Sequence, residues 1–343
     1  MSIMVGVGRG AQAGVLIKNA EALERMEKVD TLVVDKTGTL TEGRPKVVAL
    51  STVEGLDEAQ MLRFAASVEH ASEHPLARAI VEAAGERKIE LAPVRGFDSP
   101  TGKGAIGMVE RRRVALGNAN FLRELGIATD AVEAWAEQQR RDGATAIFAA
   151  IDGKVAGAIA IADPVKASTP EALAALKADG IRIVMLTGDN PRTAKAVAGG
   201  LGVDFRAGMM PEDKLATVRE IGARGGVMMI GDGINDAPAL KQAAVGVAMG
   251  SGTDVALETA DAAILRDRVV DAPALIRLAR ATMGNIHQNV AIALGLKAVF
   301  LVTTVVGVTG LWPAVLADTG ATVLVTLNAL RLLGYRFKGV ARG

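Results

Sequence analysis

The sequence predicts an α/β protein: a parallel sheet covered by helices, split by an inserted α+β block and followed by a two-helix transmembrane hairpin. Three observations carry that prediction. From Thr169 onward, short apolar runs alternate with amphipathic helical stretches, the rhythm of a helix-covered parallel sheet. The apolar run at residues 31–34 has the same character but lies beyond a block of short strands and Gly turns, so that block reads as an insertion. Near the C-terminus, residues 289–310 carry a single charge, Lys297, in a stretch long enough to cross a bilayer, which takes about 20 residues.

In chain order, residues 1–26 open apolar and Gly-rich, then become amphipathic through Ala22, Leu23 and Met26. Residues 31–34 read as a short buried strand, and Asp35-Lys36-Thr37-Gly38 as a turn supplied by glycine. Glu42-Gly43-Arg44-Pro45 breaks the chain before a strand at 46–52. Residues 57–86 have the spacing of two helices separated near 72–75. Short strands with Gly turns fill 91–116, a helix runs to about Arg141, and 148–151 and 155–161 pair around Asp152-Gly153. Beyond Asp163-Pro164 come a helix at 170–177, a strand at 181–186 and a helix at 192–201. A short strand near Phe205, a helix at 214–222 and a strand at 226–230 complete the alternation. The second span, 314–333, is apolar apart from Asp318 and Arg331, and Leu311-Trp312-Pro313 connects the spans with Trp312 at the interface. Arg277, Arg280, Arg331, Arg336 and Lys338 flank the hairpin, which puts both ends in the cytoplasm. The expected divisions are 1–45 and 163–275 for the two parts of the sheet domain, 46–162 for the insertion and 276–343 for the hairpin.

Composition removes several function classes. A net charge of +1 over 343 residues gives no field that would steer the chain to nucleic acid. With 0 cysteines and 3 histidines, disulfide, zinc-thiolate, Cys-nucleophile and His-rich metal sites are excluded or disfavoured. Residues 1–20 lack the layout of a secretory signal.

The chemistry lies at strand ends, where open parallel sheets place it. Asp35 stands where a nucleophile would be, and a carboxylate there can take a phosphoryl group covalently. Lys36 adds positive charge, while Thr37, Gly38 and Thr39 offer hydroxyl and amide donors. Thr187, in Leu186-Thr187-Gly188-Asp189-Asn190, can bond a phosphate oxygen, and Lys214 at a helix start can neutralise it. In Gly231-Asp232-Gly233-Ile234-Asn235-Asp236, Asp232 and Asp236 supply hard oxygens suited to Mg²⁺. This order of Asp, Thr, Lys and Asp resembles the haloacid-dehalogenase superfamily. The strings Asp-Lys-Thr-Gly-Thr-Leu-Thr and Gly-Asp-Gly-Ile-Asn-Asp-Ala-Pro resemble those of P-type ATPases, cation pumps that pass through an aspartyl phosphate. The resemblance implies ATP and Mg²⁺ as cofactors, with Mg²⁺ at Asp35, Thr37 and Asp232 and with Asn235 and Asp236 nearby. Superfamily phosphatases carry a second Asp two residues after the nucleophile; here that position is Thr37, which favours a lasting phosphoenzyme over hydrolysis. The rival readings are a membrane-anchored phosphatase and a non-catalytic nucleotide-binding partner.

The inserted block resembles the nucleotide-binding domain of heavy-metal (type IB) pumps through Ser72-Glu73-His74-Pro75-Leu76-Ala77. That implies contacts from His74, beside Pro75, and Glu69 to adenine, and backbone approach to ATP at Gly102, Gly104, Gly117 and Asn118. Gly102-Lys103-Gly104-Ala105-Ile106-Gly107 fits a dinucleotide fingerprint, but a hairpin-like pair follows where a helix is required, so that reading is rejected. The run from Leu316 to Leu330 resembles the last helix of zinc/cadmium/lead exporters, with Asp318 as a metal-site carboxylate and Lys297 its partner. The Asn-Tyr and Met-Ser-Ser patterns of copper pumps do not appear. The family's Thr-Gly-Glu actuator motif and Cys-Pro-Cys helix do not occur either. The expectation is therefore a truncated, transport-incompetent portion of an integral membrane pump of a bacterial plasma membrane, with cytoplasmic catalytic domains and the N-terminal half as a possible partner.

Overall fold

The computed structural model describes residues 1–100, 103–308, 310–335 and 337; the side chains of 311 and 314–318 are not described. The chain divides into two units: Met1–Leu40, Lys166–Leu186 and Met209–Gly343 form the first, and Thr41–Val165 with Thr187–Gly208 form the second.

The first unit begins with α1 (Ser2–Gln12), β1 (Val15–Ile17), α2 (Ala20–Glu27) and β2 (Val29–Asp35). The second unit then runs through β3 (Lys46–Thr52), α3 (Glu58–Glu69), α4 (Pro75–Glu86), β4 (Val94–Asp98), β5 (Gly104–Val109) and β6 (Arg112–Gly117). It continues with α5 (Ala119–Glu124), α6 (Asp130–Arg141), β7 (Thr145–Ile151) and β8 (Lys154–Ala162). After α7 (Thr169–Ala178) and β9 (Arg182–Leu186) of the first unit, α8 (Pro191–Leu201) and β10 (Asp204–Arg206) return to the second. The rest is first unit: α9 (Pro211–Gly222), β11 (Gly226–Gly231), α10 (Ala237–Gln242), β12 (Val245–Met249), α11 (Asp254–Thr259), β13 (Ala262–Ile264), α12 (Asp271–Val305) and α13 (Leu311–Leu330).

Six strands of the first unit stand in the order β1-β13-β12-β11-β2-β9. All neighbours pair in parallel except β1, which runs antiparallel to β13. Leu32, Val33, Val34, Met228, Met229, Ile230 and Val247 are fully buried, as both faces of a helix-covered parallel sheet demand. The alternation thus extends past residue 230, through β12 and β13. The second unit is a six-stranded antiparallel sheet in the order β3-β8-β7-β6-β5-β4. Helices α3 and α4 pack on one face around Met61, Leu62 and Ile80, and a second cluster gathers Leu122, Ala136 and Phe148. The single helix expected to end near Arg141 is two, α5 and α6, separated where Gly126 takes φ +75.

The hairpin expectation needs three corrections. The first span is the distal half of one 35-residue helix: α12 starts at Asp271, and its proximal half is buried in the first unit. Residues 311–313, expected as a connection, form the first turn of α13, where proline is tolerated. Arg277 and Arg280, read as charges flanking a bilayer, instead bind protein. Arg277 Nε and Nη2 donate to Asp179 at 2.5 and 3.0 Å, and Arg280 Nη2 donates to the Val29 carbonyl at 3.1 Å. Arg336 and Lys338 lie outside the described residues. Along the distal half of α12, Leu294, Val299, Leu301, Val302 and Val305 are exposed, and only 6% of its most apolar window is buried. A core helix of a soluble domain would be covered there.

Candidate active site

Asp35 closes β2. Its register partner on β9 is Leu186, and Val34 pairs with Ile230 of β11, so the carboxyl ends of these parallel strands come out at one edge. The chain leaves Asp35 through the turn Lys36–Leu40, with Gly38 at φ +71. A Cβ at Gly38 would lie 1.7 Å from Asp232 Oδ2, so glycine is required both by the backbone conformation and by the carboxylate against it. Thr37 is exposed, Lys36 and Thr39 are buried, and the Thr39 hydroxyl has no hydrogen-bond partner among the described residues.

Lys214 reaches this edge from the first turn of α9, which opens with Pro211 and the Asp213 carboxylate accepting from the Met210 N–H at 2.9 Å. Its Nζ donates to Asp35 Oδ1 at 2.5 Å and to Asp236 Oδ1 at 2.8 Å. Asp236 Oδ2 accepts from the Gly233 N–H at 3.4 Å, so both oxygens of Asp236 are engaged. Burial pushes the Asp35 carboxyl up to about 7; Asp236 adds to the shift, and Lys214 opposes it. At Lys214 burial works against the charge, but attraction to Asp35 and Asp236 outweighs it and the pKa is raised. Asp232 is raised by burial and by the Asp236 charge.

Asp35, Asp232 and Asp236 can bring carboxylate oxygens within 4.8 Å of one another. Hard oxygen donors in this number fit Mg²⁺, which takes a few carboxylates and keeps water and phosphate oxygens for the rest. Since Lys214 occupies one oxygen of Asp35 and one of Asp236, Asp35 Oδ2 and Asp232 are the groups best placed to hold the ion. Asn235 is exposed in the short helical turn Ile234–Asp236.

Thr187 follows β9 and is buried; its Oγ1 accepts from the Asp189 N–H at 3.1 Å, and its own N–H donates to the Arg206 carbonyl at 3.1 Å. Gly188 and Asp189 complete this loop, which ends where Asn190 caps α8.

In the second unit Glu69, Ser72, His74, Lys103, Gly104, Gly117 and Asn118 line one cavity of about 270 Å³. Several of these residues also hold the fold. His74 is the N-cap of α4, its Nδ1 accepting from the Leu76 N–H at 3.2 Å, and Pro75 takes the first helical position. Asn118 caps α5 through the Phe121 N–H at 2.9 Å. Gly104 and Gly117 face each other across β5 and β6, and a Cβ on them would approach Phe121 to 2.7 and 2.5 Å. Burial raises the Glu69 carboxyl to about 7, against a hydrogen bond from Ser72. Gly102 lies outside the described residues. Lys103, not singled out from sequence as a ligand, lines the same cavity and pairs with Glu124 at 2.6 Å. Its position between the two glycines was the available signal.

Lys297 lies on the exposed distal half of α12. Asp318 belongs to α13, but its side chain is outside those described, so the expected pairing of the two is likewise outside the description.

Residues 29–244 match the family model of haloacid dehalogenase-like hydrolases, and residues 221–269 match a second model of the same description. The chain is 51% identical to the silver exporting P-type ATPase of Salmonella typhimurium, over 98% of this chain and 42% of that protein. It is 47% identical to the zinc/cadmium/lead-transporting P-type ATPase of Escherichia coli K12, over 98% of this chain and 45% of that protein. A crystal structure of a zinc-transporting PIB-type ATPase in an E2.Pi state superposes with a TM-score of 0.92 at 46% identity, covering 97% of this chain and 54% of the other. The chain therefore spans about half the length of the relatives it matches.

Proposed function

The chain belongs to the haloacid dehalogenase-like hydrolases, its near relatives there being heavy-metal P-type ATPases, and on that premise we propose that it carries the phosphorylation and ATP-binding functions of such a pump. The observation that carries this reading is Lys214 shared between Asp35 and Asp236, with Asp232 seated on Gly38. Lys214 holds the Asp35 carboxylate in place, and an oxygen of that carboxylate attacks the γ-phosphorus of ATP. The new P–O bond forms at Asp35 as the bond to ADP breaks, and ADP leaves with the electron pair. Mg²⁺ at Asp35, the Thr37 backbone and Asp232 offsets phosphate charge when bound. The Thr187 hydroxyl and Lys214 hold the transferring group, and the second unit, as the nucleotide-binding insertion, offers Glu69 and His74 to the base. Thr37 supplies no carboxylate base to hydrolyse the product, so the phosphoenzyme persists.

The cargo in this proposal is a divalent ion of the zinc, cadmium and lead group, with Asp318 as ligand and Lys297 as counter-ion in a membrane hairpin of α12 and α13. A carboxylate suits Zn²⁺ better than soft monovalent ions. Identity alone favours no metal, since the silver exporter matches as well as the zinc exporter.

The chain incubated with radiolabelled ATP and Mg²⁺ is expected to take up acid-stable, hydroxylamine-labile phosphate, and Asp35→Asn to take up none. Rapid, sustained phosphate release by the unmodified chain, or labelling that persists in Asp35→Asn, would overturn the reading.

A further inference from the structure

We infer that Lys166 is a positioning residue of the phosphoryl-transfer site, holding the Gly38 peptide and, through Asp267 and Ser251, the loop on which Asp232 rests. The inference rests on the proposed function. Its backbone N–H donates to the Leu40 carbonyl at 3.0 Å, which fastens Lys166 to the end of the turn after Asp35. Its side chain, 11% exposed, turns inward. Nζ donates to the Gly38 carbonyl at 2.7 Å, to Asp267 Oδ2 at 2.8 Å and to the Asp267 carbonyl at 3.4 Å, which uses all three donors of an ammonium group.

The contacts continue into a ring. Asp267 Oδ1 accepts from Ser251 Oγ at 2.6 Å. Two residues on, the Thr253 N–H donates to the Asp232 carbonyl at 2.8 Å, and a Cβ at Gly252 would lie 2.7 Å from that same oxygen. Asp232 Oδ2 in turn lies against Gly38, where the ring began. Asp267 holds φ +54, an uncommon conformation for a residue with a side chain, and its two carboxylate bonds fix it there. A peptide is planar, so a lysine that fixes the Gly38 carbonyl also fixes the direction of the Thr39 N–H on the opposite side. Lys166 touches neither Asp35 nor a substrate in this arrangement; it acts through Gly38 and Asp232.

The test is Mg²⁺ affinity, measured by calorimetry on the whole detergent-solubilised chain with beryllofluoride standing in for the phosphoryl group. Lys166→Met keeps length and removes the charge, and is expected to weaken Mg²⁺ binding about 10- to 100-fold, the usual effect of losing a group that orients a metal ligand. Asp267→Asn should shift it in the same direction, and Ser251→Ala less. Lys166→Arg should recover part of the loss, because its fork keeps the charge but not the three-way geometry. A lysine that merely braced the fold would lower the melting temperature of the variant and leave Mg²⁺ affinity within about twofold, less than the effect expected of an orienting group; that result overturns the inference. Should Lys166→Met fail to fold, the same criterion applied to Asp267→Asn decides. Absence of Mg²⁺ binding by the unmodified chain would instead count against the proposed function itself.

Discussion

At the edge of the parallel sheet, Lys214 is buried between two carboxylates whose burial no packing need explains. In the cavity of the second unit, His74 and Asn118 cap helices, and Gly104 and Gly117 let β5 and β6 close over Phe121. The contrast teaches where a functional reading is safe. Buried, mutually repelling charges are costly, and they persist where chemistry requires them. A cap or a tight glycine pair is explained by the fold alone, so its further role has to be separated by experiment.

Lys214→Met should give the largest effect on folding. It leaves Asp35 and Asp236 buried without a cation, which costs about 3–5 kcal/mol. Thermal unfolding of the first unit would show it as a large drop in midpoint. A drop of about 1 kcal/mol or less, the range of an exposed pair, would erase the contrast between the two regions.

Glu69 is the second unit's own buried charge. Its carboxyl moves from an ordinary 4.5 to about 7 on folding. The folded pKa is the higher one, so the neutral form is favoured by folding. That stabilisation is full below about pH 4.5 and is lost as pH rises through 7, a change of about 3 kcal/mol. Unfolding of the second unit at pH 5 and pH 8 measures it, and Glu69→Gln should flatten the difference.

The finest comparison is His74→Asn against His74→Ala. Asparagine is itself a favoured N-cap, so His74→Asn should leave stability nearly unchanged, whereas His74→Ala should cost about 1 kcal/mol. Both should weaken ATP binding about tenfold if the imidazole contacts the base, the equivalent of about 1.4 kcal/mol. Retention of ATP affinity in His74→Asn would make the residue a cap and nothing more.

The strand ends bearing Asp35, Thr187 and Asp232 were legible from sequence because each follows an apolar run and opens on glycine or a polar turn. β1 and β13 were not, being three residues each and stabilised by pairing with each other across the chain. β12, Val-Gly-Val-Ala-Met, lacks the β-branched density that marks a strand. Within the site, the pairing of Lys214 with Asp236 as well as Asp35 could not be read, because hydrogen-bond sharing is a property of three elements meeting. Lys166 and Asp267 were invisible for the same reason: a single lysine after Asp163-Pro164-Val165 and a single aspartate after a short strand carry no pattern. The proximal half of α12 was hidden by Gly284, Asn285 and His287, which interrupt its apolar run without interrupting the helix.

That unbroken helix has a mechanical consequence. At 1.5 Å per residue, its 35 residues make a rod roughly 50 Å long, packed along its proximal half on α1, α2 and α7 and along its length on α13, with Leu294, Val299, Leu301, Val302 and Val305 left exposed. A continuous rod carries any tilt of its proximal half to its distal half. If the body that holds its proximal half tilted by about 10°, a distal half of roughly 25 Å would sweep its tip through about 4 Å. A small tilt of the body that carries Asp35 is thus magnified at the far end of the helix.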